Sequence, residues 1–202
     1  MKDSKEHILK TSLSLFLQKG FKEVTMSEIV KNSGFSKGAF YHYFSSKEEV
    51  FRDVIETYYN KILYVDYNSL PSDSLKSFYR ARIDIHMENE KKFRNWLVTS
   101  LNQPPSTTNL YYILFDAMRL IPEFQEKERE DLKKEFEAWE NVINKAKESG
   151  EISSKISSNE LAKQFVYGGD GIALHMVLKD TTEQLIPEVT RLWDSLYKNL
   201  KN

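Results

Sequence analysis

Cysteine is absent from the chain, which excludes disulfides and thiolate-held metal and is compatible with a reducing cytosol. Glycine and proline are scarce, at seven and five of 202 residues. With 29% charged residues, that scarcity points to an all-helical soluble protein. No run of about 18 apolar residues occurs, and the opening residues Lys2, Asp3, Lys5 and Glu6 are charged. Neither a membrane span nor a signal peptide is expected, and the expected location is the cytoplasm. A surplus of one charge is also missing, since the net charge is −1. It is unevenly spread: residues 1–50 sum to +2 and the remainder to −3. A mildly basic front on a mildly acidic body suits salt-sensitive contact with DNA without demonstrating it.

Catalytic signatures are lacking as well. His7, His42, His86 and His175 are scattered, with no HExxH spacing. His86 and Glu90 share a helix face, but two ligands do not make a metal site. There is no glycine-rich phosphate loop and no GxSxG elbow. The run Gly168-Gly169-Asp170-Gly171 lacks the preceding strand that a dinucleotide fold needs. Neither an enzyme, nor a cofactor, nor a metal centre is expected.

What stands out instead is residues 25–47, TMSEIVKNSGFSKGAFYHYFSSK. Thr25 followed by Glu28 forms a capping box that opens a short helix, and Ile29 with Val30 supplies its apolar face. Gly34 sits where a tight inter-helix turn needs positive φ. Ser36 caps a second helix, whose inner stripe is Ala39, Phe40, Tyr43 and Phe44. Its outward face is Lys37, Gly38, Tyr41 and His42, too polar for a core and too aromatic for an ordinary solvated surface. This is the pattern of a helix-turn-helix whose second helix enters the major groove of DNA. Lys37 is suited to a phosphate or to the O6 and N7 acceptors of guanine. Gly38 allows close backbone approach, and Tyr41 offers its ring to a thymine methyl and its hydroxyl to a phosphate. Thr25, His42, Tyr43 and Lys47 are expected to fix register rather than to read sequence. The plainer alternative is a three-helix bundle with a glycine turn, serving as a protein-interaction module without DNA binding.

Ile8 to Phe51 resembles the N-terminal domain of tetracycline-repressor-type (TetR/AcrR) bacterial transcription regulators. The resemblance rests on Leu15-Phe16, Lys19-Gly20-Phe21, Thr25, Ile29-Val30, Gly34-Phe35-Ser36, Tyr41-His42-Tyr43-Phe44 and Lys47-Glu48-Glu49. Val30 and Phe35 depart from it by being larger than the residues usual there. The resemblance implies that Thr25, Ser36, Lys37, Gly38, Tyr41, His42, Tyr43 and Lys47 contact DNA. It also implies a dimer formed through the last two helices and a small-molecule pocket in the body.

The first helix is expected over 5–19, stopping at Gly20. A capping box of Ser45 or Ser46 with Glu48 or Glu49 opens a long helix reaching Leu63, which joins front to body without a flexible linker. Pro71 marks the first break. Body helices are expected at 74–87, 88–102, 107–121, 123–149, 158–179 and 183–200, with Pro104-Pro105 in a loop, Pro122 at a start or kink and Gly150 at a stop. Gly168, Gly169 and Gly171 lie inside a helical stretch, where each costs about 1 kcal/mol against alanine. Close approach of a partner helix would offset that cost, so these glycines with Leu192, Trp193 and Leu196 are the expected homodimer interface. Tight packing within one subunit is the alternative. Phe93, Trp96, Tyr111, Tyr112, Phe115, Met118, Phe165, Tyr167 and His175 could line an effector pocket, with Asn102, Gln103 and Asp170 as polar neighbours; an ordinary core is the competing reading.

The expected fold class is all-α: an N-terminal three-helix helix-turn-helix DNA-binding domain over 1–47, then a C-terminal helical ligand-binding and dimerisation domain over 48–202. The expected partners are double-stranded DNA, a small-molecule effector and a second copy of the chain, with no membrane. The expected role is a repressor released by its effector.

Overall fold

A computed structural model describes residues 2–59, 64–101 and 107–201. All the regular structure in these residues is helical, apart from one bridge between Ile152 and Lys201. The α-helices are α1 (Lys2–Glu23), α2 (Met26–Ser33), α3 (Lys37–Tyr41), α4 (Lys47–Val54), α5 (Leu75–Leu101), α6 (Thr107–Leu120), α7 (Pro122–Glu148), α8 (Ser158–Lys179) and α9 (Leu185–Leu200). The chain divides into two compact units. One is Met1–Tyr64 with Asn89–Gln125, and the other Val65–Glu88 with Glu126–Asn202.

In the first unit, α1 buries Ile8, Leu9, Leu13, Phe16 and Leu17. Gly20 interrupts this helix at φ 77, ψ 163, and one further turn carries it to Glu23. The same core takes in Phe21, Val24 and Ile29, then Phe40 and Phe44, then Val50, Phe51, Val54 and Ile55, together with Ile113, Ala117 and Ile121 of α6 and the turn after it. The α4 residues belong here because their i, i+1, i+4, i+5 spacing makes one apolar stripe. The expected boundary at 47/48 therefore does not coincide with this division. Nor does α4 run unbroken: after Val54 it widens into a π-helical turn, Ile55–Tyr59. The expected stretch to Leu63 then lies outside the described residues, as do Asn102, Gln103 and Pro104-Pro105.

The second unit is organised around aromatic rings. Trp139 is fully buried, stacked on Phe165 at 4.8 Å and met edge-on by Phe78 at 4.9 Å and Trp193 at 5.0 Å. Trp193 donates its indole N–H to the Phe165 carbonyl at 2.9 Å. Where two helices were expected over 74–102, α5 is one continuous helix, in keeping with a stretch free of glycine and proline. Its first amides, Leu75 and Lys76, donate to the Glu151 carboxylate at 2.9 and 3.1 Å. Pro122 is the first residue of α7, where its missing N–H costs nothing.

Two of the expected interface glycines pack against their own subunit. A Cβ on Gly168 would lie 2.7 Å from Leu192 Cδ2, and one on Gly169 would lie 3.4 Å from Trp193 Cζ2. Both glycines therefore serve the crossing of α8 and α9 within one subunit. Trp193 is likewise buried in its own chain, leaving it no surface for a partner. Gly171 has nothing within 4 Å of its would-be side chain, and Leu192 and Leu196 are half-buried.

Candidate nucleic-acid interface

Three side-chain caps build the front of the chain. Thr25 accepts from the Glu28 amide at 3.2 Å while the Glu28 carboxylate takes the Thr25 N–H at 2.9 Å, completing the box. Lys19 adds a 2.6 Å ion pair to the same carboxylate. The Lys19 hydrogen bond and the Thr25 N–H bring the Glu28 pKa down to about 2. Gly34 closes α2 in the left-handed region at φ 71. Ser36 then caps α3, accepting from the Ala39 amide at 3.3 Å. Ser46 caps α4, and Glu49 reaches back to the Ser45 amide at 2.7 Å; this hydrogen bond lowers the Glu49 pKa.

The short α3 has two contrasting sides. Phe40 and Phe44 are sealed in the core. Lys37, Gly38, Tyr41 and His42 are exposed, Tyr41 by 44%. Ala39, expected on the inner stripe, is exposed too. The helix lasts only five residues and ends in a tight turn, with Tyr43 N–H on the Phe40 carbonyl at 2.9 Å, so full helical periodicity does not hold across it. Ala39 thus adds a methyl group to the open face, which sequence patterning had assigned to the core because alanine is apolar. Thr25 and Ser36 are exposed at their helix starts, and Tyr43 is half-buried against Phe35 at 6.2 Å. The bulky Phe35 is accommodated between Tyr43 and His7.

Lys47 differs from the rest of the expected contact set. Its ammonium donates to the carbonyls of Phe21 at 2.8 Å and Val24 at 2.7 Å, with Lys22 at 3.5 Å. It also lies 4.2 Å from the Phe21 ring centre. By contrast, Lys37 has no partner among the described residues.

The residues expected to line an effector pocket are divided between the two units. Phe93 is buried and stacked on half-buried Trp96 at 5.8 Å, while Tyr112 and Phe115 are exposed and Tyr111 and Met118 half-buried. Phe165 is not available to a ligand, because it is fully buried in the aromatic core of the second unit. Tyr167 and His175 are exposed on α8, where they line an open groove of about 610 Å³ with Gly168, Gly171, Lys179 and Glu188. Sequence reasoning missed Tyr58: its hydroxyl is buried beside Trp96, whose ring is 4.7 Å away, without a hydrogen-bond partner among the described residues. Burial pushes this phenol up to about 12. No group of three metal-ligating side chains occurs among the described residues, and no helix of them is long and apolar enough to cross a membrane.

Residues 8–54 match the family model of bacterial regulatory proteins, tetR family. Over this segment the chain is similar to the tetR family. All eight residues of the expected DNA-contact set fall inside the matched segment. The HTH-type transcriptional regulator YuxN of Bacillus subtilis (strain 168) is 34% identical over 104 residues, covering 51% of this chain and 36% of that protein. The HTH-type transcriptional repressor NemR of Escherichia coli (strain K12) is 44% identical over 57 residues, 28% of this chain and 29% of its own. The chain thus spans only about a third of the length of these curated relatives. A TetR transcription regulator from Haloarcula marismortui ATCC 43049 superposes over 100% of both chains with TM-score 0.60 at 16% identity, a likeness of fold. Both of these relatives are HTH-type transcription regulators.

Proposed function

We propose that this chain is a TetR-family, ligand-responsive transcription regulator that binds duplex DNA as a homodimer and represses the genes it controls. The observation that carries this reading is the open face of α3. Lys37, Gly38, Ala39, Tyr41 and His42 are exposed together on a helix whose opposite side is locked in the core. A free ammonium in the first turn of such a helix suits phosphate or guanine, and the methyl and ring suit thymine. Thr25 and Ser36 at their helix starts, with Tyr43 in the turn after α3, supply register. Two heads related by a two-fold axis would meet half-sites about 34–36 Å apart, or a multiple of that.

The second copy would join through the outer side of α8 and α9, where Gly171, Leu192 and Leu196 remain open or half-open. A small molecule would weaken DNA binding by favouring a conformation that moves α4. Moving the population almost completely requires about 5 kcal/mol of differential affinity. The unpartnered hydroxyl of Tyr58, one turn past α4, supports such a ligand, because a buried polar group without a partner is costly unless something satisfies it. The relatives known as repressors agree with the sign of regulation. Selecting bound duplexes from a random pool at stated salt tests the whole reading. An enriched inverted repeat is the expected result, and a pool left unenriched would overturn it.

A further inference from the structure

Lysines in a DNA-facing domain are ordinarily assigned to phosphates, and Lys47 is the one whose surroundings argue otherwise. It is the first residue of α4, and its side chain crosses to the end of α1 rather than to solvent. The last carbonyls of a helix have no partner within it. Here the carbonyls of Phe21 and Val24 each receive an N–H of the ammonium, at 2.8 and 2.7 Å, and that of Lys22 lies 3.5 Å away. An ammonium has three donors, so this geometry leaves none directed outward. Beneath it lies the Phe21 ring, itself 4.6 Å from Phe51 and 5.8 Å from Phe16. Reaching a phosphate would strip two part-buried carbonyls and a ring of their cation.

The position of these carbonyls gives the contact its meaning. Val24 immediately precedes Thr25, the cap of α2. From the other side, Lys19 holds Glu28, which holds Thr25. The start of α2 is thus gripped by Lys19 from α1 and by Lys47 from α4. We propose that Lys47 is a positioning latch, not a phosphate contact: it ties the first turn of α4 to the α1–α2 turn, so that α2 and the α3 that follows it move with α4. This deepens the DNA-binding reading and rests on it for its effect on affinity.

The test uses Lys47→Met, which keeps an apolar stem over Phe21, and Lys47→Arg, which keeps the charge but cannot converge one ammonium on the carbonyls. Three quantities are read: the Tm of the DNA-free protein, the affinity for the selected duplex well below Tm, and the slope of log affinity against log salt. The latch predicts a lower Tm and an affinity loss of about tenfold or more in both variants, at the wild-type salt slope. A slope shallower by about 0.9 per lysine in Lys47→Met would assign the residue to a phosphate and overturn the proposal. So would an unchanged Tm, or full affinity in the folded variants, which would leave Lys47 with a purely structural role. Should Lys47→Met not fold, Lys47→Arg carries the same three readouts. If the wild-type protein binds no duplex, the regulator reading fails, and amide exchange across residues 21–28 still decides the latch. Faster exchange in the variants supports it, and unchanged exchange overturns it.

Discussion

The front of the first unit and the α7–α8–α9 part of the second hold their helices in different ways. In the front, each helix from α2 to α4 starts on a hydroxyl within three residues of the amide it receives, and left-handed glycines supply the break at Gly20 and the turn at Gly34. In the second unit, α5 and α8 also start on hydroxyls, Ser74 and Ser157, but α5 adds a carboxylate 76 positions away, and α9 starts with no side-chain cap. What holds that unit is the ring cluster around Trp139. The difference shows in what each leaves unspent. The front leaves a cation, a phenol and an imidazole on α3, groups that suit a polyanion. The second unit leaves Tyr167, Leu174 and Leu178 exposed on α8 by 58%, 51% and 76%, a surface for apolar contact.

Truncating the ring cluster should have the largest effect. Trp139→Ala is expected to cost about 3–5 kcal/mol of unfolding free energy, as large core aromatics do, measured by urea denaturation. A loss below about 1 kcal/mol would mean that the second unit does not depend on these rings. Lys37→Ala should separate the regions in the opposite sense. It is expected to cost about 1–3 kcal/mol of duplex affinity with no change in Tm, read by titration at several salt concentrations. Thr25→Ala should cost about 1 kcal/mol of stability through the lost cap, followed by thermal unfolding.

Gly171→Ala should be the mildest change in the isolated subunit, a gain of up to about 1 kcal/mol, because nothing lies near its would-be side chain. If a second copy packs closely there, the same change instead raises the dimer dissociation constant in sedimentation. A pH test probes the polar edge of the second unit. Desolvation and the Glu135 carboxylate raise Asp170 from 3.8 to about 6, with Arg82 opposing. Between those values the folded chain keeps a proton that the unfolded chain has lost, so stability falls as pH rises through the window. Asp170→Asn is expected to stabilise the protein near pH 7.5 and to lose that advantage below about pH 4, followed by urea midpoints.

Much of the front could be read directly from residues 25–47, because its determinants are close in sequence. Thr25 with Glu28, Gly34, Ser36, and Ser46 with Glu49 act over one to four positions. Ala39 was misplaced because the helical period fails in so short a helix. In the body, helix starts at Pro122 and stops at Gly150 were legible, since proline and glycine act locally. That Gly168 and Gly169 pack against α9 of their own chain was not legible, because a pattern shows that a glycine permits close approach but not which helix approaches. Phe165 looked equally suited to pocket or core for the same reason.

Local backbone chemistry therefore made the chain helical, set its turns and opened the face of α3, since caps, φ preferences and spacing are properties of neighbouring residues. Packing between distant residues decided everything else. It put Leu192 over Gly168, made a core of Trp139 with Phe165, and turned the Lys47 ammonium toward the Phe21 and Val24 carbonyls. Such contacts depend on where helices cross, and crossings follow from the whole set of side chains that must be buried together.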